Sequence, residues 1–336
     1  MTDVSERVKH PSAAILLVGG RGTRLAPLTD RTPKPMLPVG GVPFSLHQVL
    51  QARAAGVNRL VMATSYLAEV FEPYFGDGSS FGMEISYAVE EVALGTGGGI
   101  KNAAAHLEID GDAPVVIFNG DVLSAHDLKA QMEFHRTRDA DVTLYLTKVE
   151  DARAYGVVPT NSEGWVEAFL EKMEKPITNQ INAGCYIFKR SVIDEIESNR
   201  VVSVERETFP TLLQEGKRVQ GFVDNGYWRD IGTPAALIAA SADLVTGKFA
   251  SAATKPSNSK SGLGFIDESA KVAENARIDA GSVVLAGAQV GQNCTILSSI
   301  VGVGAKIDDG VKIESAFVAP ESRITLDNCR GEVLGF

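Results

Sequence analysis

The stretch GGRGTRLAPLTDRTPKPMLPV, residues 19–39, decides how this chain is to be read. It holds the cations Arg21, Arg24, Arg31 and Lys34 against the single acid Asp30, and four prolines at 27, 33, 35 and 38. It follows the apolar run AAILLV (13–18), whose length and branching suit a strand buried in a sheet. A glycine loop placed there lies at the strand's carboxyl end, where freed N–H groups can form an anion nest. Two common phosphate motifs are excluded. A P-loop needs GxxxxGK[ST] opening a helix, but Gly22 leads to Thr23 and Arg24, and the first lysine is Lys34. A dinucleotide fingerprint needs a third glycine where Leu25 stands. The prolines forbid an α-helix, so the segment is expected to run as an extended loop. By residue type alone it is either a phosphate cradle or a turn-rich surface loop.

Outward from this loop, short aliphatic runs alternate with amphipathic ones to about residue 150. RLVMAT (59–64), MEISYAV (83–89), PVVIFN (114–119) and DVTLYLT (141–147) read as further strands. FSLHQVLQARAAG (44–56) reads as a helix with Leu46, Val49, Leu50 and Ala54 on one face, ending at Gly56. AHDLKAQMEFHRTR (125–138) reads as a second helix. The alternation predicts an α/β domain with a parallel sheet and ligands beyond the strands' carboxyl ends. KFASAATKPSNSKSGLG (248–264) has linker composition. After it Ile266, Val272, Ile278, Val284, Val290 and Ile296 recur every six residues, with the small residues Ala270, Ala276, Ser282, Ala288 and Cys294 between them. A slip near SSIVG precedes Val301, Ile307 and Ile313, and another precedes Val318 and Ile324. That period is the signature of a parallel β-helix, here of about three coils. The expected organisation is 12–247, an α/β domain; 248–264, a linker; and 265–330, a short left-handed parallel β-helix.

Composition narrows the partners. A net charge of −10 disfavours nucleic acid and anionic membranes. The apolar runs are too short to cross a bilayer, and residues 1–11 read as a frayed terminus rather than a signal peptide. Cys185, Cys294 and Cys329 form no CxxC pair and are read as structural thiols of a reducing compartment, with a cytoplasmic location expected.

The order of residues in LVGGRGTRLAPLTDRTPKPMLPVGGVP (17–43) resembles the signature of the sugar-phosphate nucleotidylyltransferases, roughly LAGGxGTRLxPLTxxxPKPMLPVxGxP. Its departure is Val18 for the usual alanine. Further landmarks follow in family order: EEVALGTGGGIKNA (90–103), VVIFNGD (115–121), AYGVV (154–158), FLEK (169–172), INAGCYIF (181–188), VSVERETFP (202–210) and YWRDIGTP (227–234). The resemblance covers about residues 12–246 and implies a Rossmann-like nucleotidyltransferase fold with a mostly parallel sheet.

It also implies roles. Leu17, Gly19, Gly20, Gly22, Thr23, Arg24, Lys34, Gly95, Thr96 and Asn119 would bind the nucleotide, with residues 90–103 receiving the base. Gly156, Glu171, Lys172 and Asn182 would seat the sugar phosphate. Arg24, Lys34, Asp121 and Asp230 would be catalytic, the two aspartates holding Mg2+. The nucleophile would be an anionic phosphate, so no general base is required, and the five histidines are read as structural. Each landmark also has a plainer reading: Asp121 as a turn residue, Asp230 as the cap of a helix starting near Pro234, Glu171 and Lys172 as surface charges. Within the family, the combination looks most like the branch that joins GTP to mannose 1-phosphate. GTP with heptose 1-phosphate, UTP or dTTP with a glucose-type phosphate, and a catalytically silent nucleotide-sugar sensor are the alternatives. The outer face of a short β-helix suggests a homo-oligomer.

Overall fold

Buried aliphatic strands separated by helices build a seven-stranded sheet in the computed structural model, which describes residues 13–327 and 329–336. The frayed terminus expected at residues 1–11 lies outside the described residues. The strands are β1 (Ala13–Leu17), β2 (Arg59–Thr64), β3 (Glu84–Val89), β4 (Pro114–Asn119), β5 (Val142–Lys148), β6 (Gln180–Lys189) and β7 (Val219–Val223). Their spatial order is β7-β5-β6-β4-β1-β2-β3. Four pairings are parallel, and β6 runs antiparallel to both β4 and β5, so the sheet is mostly parallel. The five strands expected from sequence are present to within a residue. Four of them are near-continuous apolar runs, as strands buried on both faces require, whereas β3, at the sheet edge, is exposed at Glu84 and Val89.

The principal helices are α1 (Phe44–Ala54), α2 (Gly95–Ala104), α3 (Leu128–Arg138) and α4 (Pro234–Val245). In α1, Leu46 and Val49 are buried and Leu50 is half-buried, but Ala54 is exposed and Ala52 is buried instead. Most of the circumference of α1 is buried, so a one-sided stripe does not describe it. The helix α3 begins at an Asp127 cap whose carboxylate accepts from Ala130 N.

The chain divides into two compact units interleaved in sequence. One runs to Gly20 and takes in Gln51–Gly120 and His126–Trp228; it contains the seven-stranded sheet. The other comprises Arg21–Leu50, Asp121–Ala125 and Arg229–Phe336. No helix among the described residues is long and apolar enough to cross a membrane.

Beyond residue 263, short strands among the described residues fall in rotation into three parallel sheets of five, four and three strands. The six-residue pattern becomes a stack: Ile278 pairs with Ile296 and then Ile313, and Val284 with Val301 and then Val318. These side chains are buried in one cluster, with Ile266 and Val272 partly buried against it. The two slips are corners. Three residues separate the stacked positions Asp279 and Val283, whereas only Ser298–Ser299 and Ser315–Ala316 fill the corners below. Ser298 and Ser315 accept φ of 43° and 52° to make those tighter bends.

Histidines 126 and 135 pack inside the sheet unit. His126 stacks on Tyr145 at 4.1 Å between ring centres, and His135 Nδ1 lies 2.8 Å from Thr143 Oγ1. Burial pushes both down to about 4. An unfolded histidine titrates near 6.5, so below that pH the unfolded chain binds protons that the folded one refuses. Stability is therefore full above pH 6.5 and lost as the pH falls towards 4, by on the order of 3 kcal/mol per histidine. The melting temperature followed from pH 7.5 to 4.5 is expected to fall through this window, and a His126→Gln/His135→Gln variant to fall less steeply.

Candidate active site

The loop after β1 is more structured than its prolines suggest. Single 3-10 turns form at Thr23–Leu25 and Lys34–Met36, and Pro38–Val39 pairs with Val42–Pro43 as a hairpin. Proline suits the first turn of a helix, where its missing N–H has no partner to lose, and Pro35 occupies that place. The Gly22 carbonyl accepts from Leu25 N at 2.9 Å and Thr29 Oγ1 at 3.2 Å, drawing the loop inward.

That folding buries Lys34. Its side chain is 9% exposed, and Nζ lies 3.4 Å from Oδ2 of Asp121, whose side chain is 44% exposed. A nearly buried ammonium needs an anion, and Asp121 supplies one. Asp121 sits in the turn that ends β4, and its carbonyl accepts from Ile231 N at 2.9 Å. Val122–Ser124 and Trp228–Asp230 pair beside this contact. Asp121 and Asp230, over a hundred residues apart in sequence, are thus carried on neighbouring backbone. Asp230 does not cap α4: Thr233 does, its hydroxyl accepting from Ala236 N. Arg24 belongs to the same group. A methyl on Gly232 would fall 3.0 Å from Arg24 Nη1 and 3.1 Å from Asp230 Oδ2, so both charged groups flank this buried glycine. Gly20 and Thr23 are exposed and Gly19 is half-buried.

In the sheet unit, parallel pairing brings Leu17 level with Ala63 and Asn119 at one edge. Gly120 N donates to Leu17 O at 2.9 Å, and Glu90 N to Thr64 O at 2.8 Å. Residues 95–104 are helix rather than loop, despite Gly-Thr-Gly-Gly-Gly. Packing overrides propensity here: Gly97 N donates to Val202 O at 2.8 Å, and a Cβ on Gly95 would lie 2.6 Å from that same oxygen. Thr96 Oγ1 donates to Glu205 Oε2 at 2.8 Å and accepts from Val204 N at 2.9 Å, so this hydroxyl fastens α2 to residues 202–205.

The sugar-side landmarks divide. Asn182 N donates to Gly156 O at 3.1 Å, and a register shift between β5 and β6 lies beside it. The amides of Asn182 and Asn119 both donate to the hydroxyl of Tyr186, at 2.8 and 3.1 Å. Glu171 and Lys172 are exposed, and Glu171 meets Arg206 at 3.5 Å, a surface pair of little energetic weight.

Three participants escaped the reading of the sequence. Tyr186 and Gly232 stand within quoted landmarks but declare themselves only through contacts. Glu90 is the third: its Oε2 accepts from Leu94 N at 3.0 Å, while its Oε1 occupies the space that a Gly99 side chain would need, 2.7 Å from the missing Cβ. Burial pushes this carboxyl up.

The sheet unit carries a glycine loop after its first strand, and in the second unit Arg24, Lys34, Asp121 and Asp230 form one charged group. Residues 13–247 match the Nucleotidyl transferase family, and the chain belongs to it. It is 48% identical to the mannose-1-phosphate guanylyltransferase of Mycobacterium tuberculosis, over 91% of this chain and 84% of that one. It is 35% identical to the mannose-1-phosphate guanyltransferase of Neurospora crassa, over 91% and 90% respectively. The solved structure of HddC from Yersinia pseudotuberculosis with GMP-PN superposes with a TM-score of 0.58 and 27% identity, covering 68% of this chain and 98% of that one.

Gly232→Ala tests the charge cluster. The added methyl is expected to displace Arg24 and Asp230 and to slow pyrophosphate release about ten- to a hundredfold, as misplacement near 1 Å does. The melting temperature is expected to stay within a few degrees of the parent; an unaltered rate would show that neither charge moves.

Proposed function

We propose that this chain transfers a guanylyl group from GTP to α-D-mannose 1-phosphate, giving GDP-mannose and pyrophosphate. The chemistry rests on the group formed by Arg24, Lys34, Asp121 and Asp230; the substrate pair is favoured by the identity to the mycobacterial enzyme along most of both chains. In this reading a phosphate oxygen of mannose 1-phosphate attacks the α-phosphorus of GTP. The bond from that phosphorus to the β-bridging oxygen breaks, and pyrophosphate leaves with its electron pair. The nucleophile is already ionised, so charge compensation and in-line positioning are what the protein must supply.

Arg24 binds the departing pyrophosphate through its planar fork of donors, and Lys34 holds phosphate oxygens at the reacting centre. Gly19, Gly20, Gly22 and Thr23 donate to the triphosphate. Leu17, Gly95, Thr96 and Asn119 serve the nucleoside, Thr96 by fixing α2. Gly156, Asn182, Glu171 and Lys172 serve the sugar phosphate. The described residues hold no group of three or more His, Cys, Asp or Glu suited to a metal, and the carboxylates of Asp121 and Asp230 suit Mg2+, which takes one or two carboxylates and completes its shell with water and phosphate oxygens. Asp121 and Asp230 would hold it, and when bound it supplies positive charge to the phosphates. In chain order, 12–247 is the catalytic domain, 248–264 the connection, and 265–330 a short left-handed parallel β-helix whose outer faces suit contact between copies of the chain.

The resemblance seats the base against residues 90–103, and Glu90 is a carboxylate there whose chemistry suits guanine. A carboxylate only accepts hydrogen bonds, and guanine offers N1–H and N2–H2 side by side. Uracil and thymine flank their one N–H with carbonyl oxygens, which a carboxylate repels.

Pyrophosphate release across GTP, ITP, UTP and dTTP with mannose, glucose and heptose 1-phosphates tests the assignment. GTP with mannose 1-phosphate is expected to be fastest, with ITP, which lacks the N2 amino group, slower by about tenfold or more. A preference for UTP or dTTP would overturn it. Asp121→Asn and Asp230→Asn are each expected to reduce turnover by roughly tenfold or more while the far-ultraviolet circular dichroism is unchanged; near-parental turnover in both would remove the metal assignment.

A further inference from the structure

The hairpin Pro38–Val39/Val42–Pro43 follows directly on the turn that carries Lys34. Leu37 N donates to Lys34 O, Phe44 N to Leu37 O, and Ser45 Oγ to Pro35 O at 2.8 Å, so the lysine's backbone and the hairpin form one hydrogen-bonded piece. What holds that piece comes from the far end of the chain. Gly40 N donates to the buried hydroxyl of Ser241 on α4 at 3.0 Å. Val39 O can only accept, so His47 Nε2 carries the proton that reaches it at 3.0 Å; Nδ1 then accepts from the hydroxyl of Ser251, in the segment after α4. The third hold is an aromatic ring. Gly41, at φ 89°, presents its bare Cα face to Phe265, whose Cδ1 and Cε1 lie 2.8 Å from where a Cβ would be. Phe265 stands in Gly264–Ile266, the first strand of the C-terminal sheets, and its sheet register continues through Val283, Ile300 and Phe317.

All of these residues belong to the second compact unit. Its C-terminal sheets therefore do more than stack on themselves. We infer that Phe265, with Ser241 and Ser251, is a positioning residue for Lys34: together they set the hairpin at residues 38–43, and the hairpin sets the height at which the lysine meets Asp121. The inference rests on the proposed role of Lys34 at the phosphates.

The test compares Phe265→Ala, Phe265→Leu, Lys34→Ala and Phe265→Ala/Lys34→Ala in the full chain, by steady-state kinetics with GTP and mannose 1-phosphate. Phe317→Ala, on the same sheet face three strands away, controls for lost packing. Phe265→Ala is expected to lower kcat about tenfold with both KM values held within about twofold, and Phe265→Leu to recover most of the loss. In the Lys34→Ala background, Phe265→Ala is expected to cost less than about a further twofold, because the residue it positions is already gone. Phe317→Ala is expected to lower the melting temperature and leave kcat unchanged at a temperature where it is folded. Independent, multiplying losses from Phe265→Ala and Lys34→Ala would overturn the inference, as would an equal loss of kcat in folded Phe317→Ala. Unchanged turnover in Lys34→Ala itself would overturn the phosphate role of the lysine and this inference with it.

Discussion

A lysine that is almost wholly buried must be paid for, and much of the second unit is arranged around that demand. Lys34 is held by Asp121, 3.4 Å away, and the carboxylate remains nearly half-exposed. A fully buried pair would neutralise itself and have little left to offer a ligand, while a fully exposed one would be screened by water. The observed compromise shields the cation and leaves oxygen lone pairs of Asp121 open. The tie from Ile231 N to the Asp121 carbonyl then extends the same constraint to Asp230, and the absence of a side chain at Gly232 extends it to Arg24.

The sheet unit solves a different problem. Strands buried on both faces end together, and groups at their carboxyl ends must find partners in the loops beyond. Asn119 and Asn182 meet at the Tyr186 hydroxyl; Glu90 fastens Leu94 and fills the gap left by Gly99; Thr96 bonds to Glu205 and Val204. Asn119 and Thr96 are satisfied by residues distant in sequence, Asn182 and Glu90 by residues four positions on, and together these bonds give a loop-rich edge fixed geometry.

Features encoded by neighbours were legible in the sequence. The passage from an aliphatic strand to glycine marks the edge of the sheet within a few residues, and the six-residue period of the C-terminal third is visible without tertiary contacts. The roles given to the aspartates come only from the resemblance, since by residue type either could be a turn or cap residue; Thr233, and not Asp230, caps α4. Other features were hidden because distance hides them. The glycines of α2 argue locally against a helix, and it is the backbone of Val202 that makes one. The antiparallel placement of β6 depends on what lies on either side of it, and the exposure of Ala54 on how completely α1 is surrounded.

The hydrogen bond from Gly40 to Ser241 spans 201 residues of chain. Polypeptides emerge from the ribosome at about 5–20 residues per second, so the loop bearing Arg24 and Lys34 leaves the exit tunnel roughly 10–40 seconds before its support exists. Through that interval its cations and glycines have no scaffold to close on. The birth of this enzyme thus has an order: the charged loop that follows its first strand is made long before the residues that hold it.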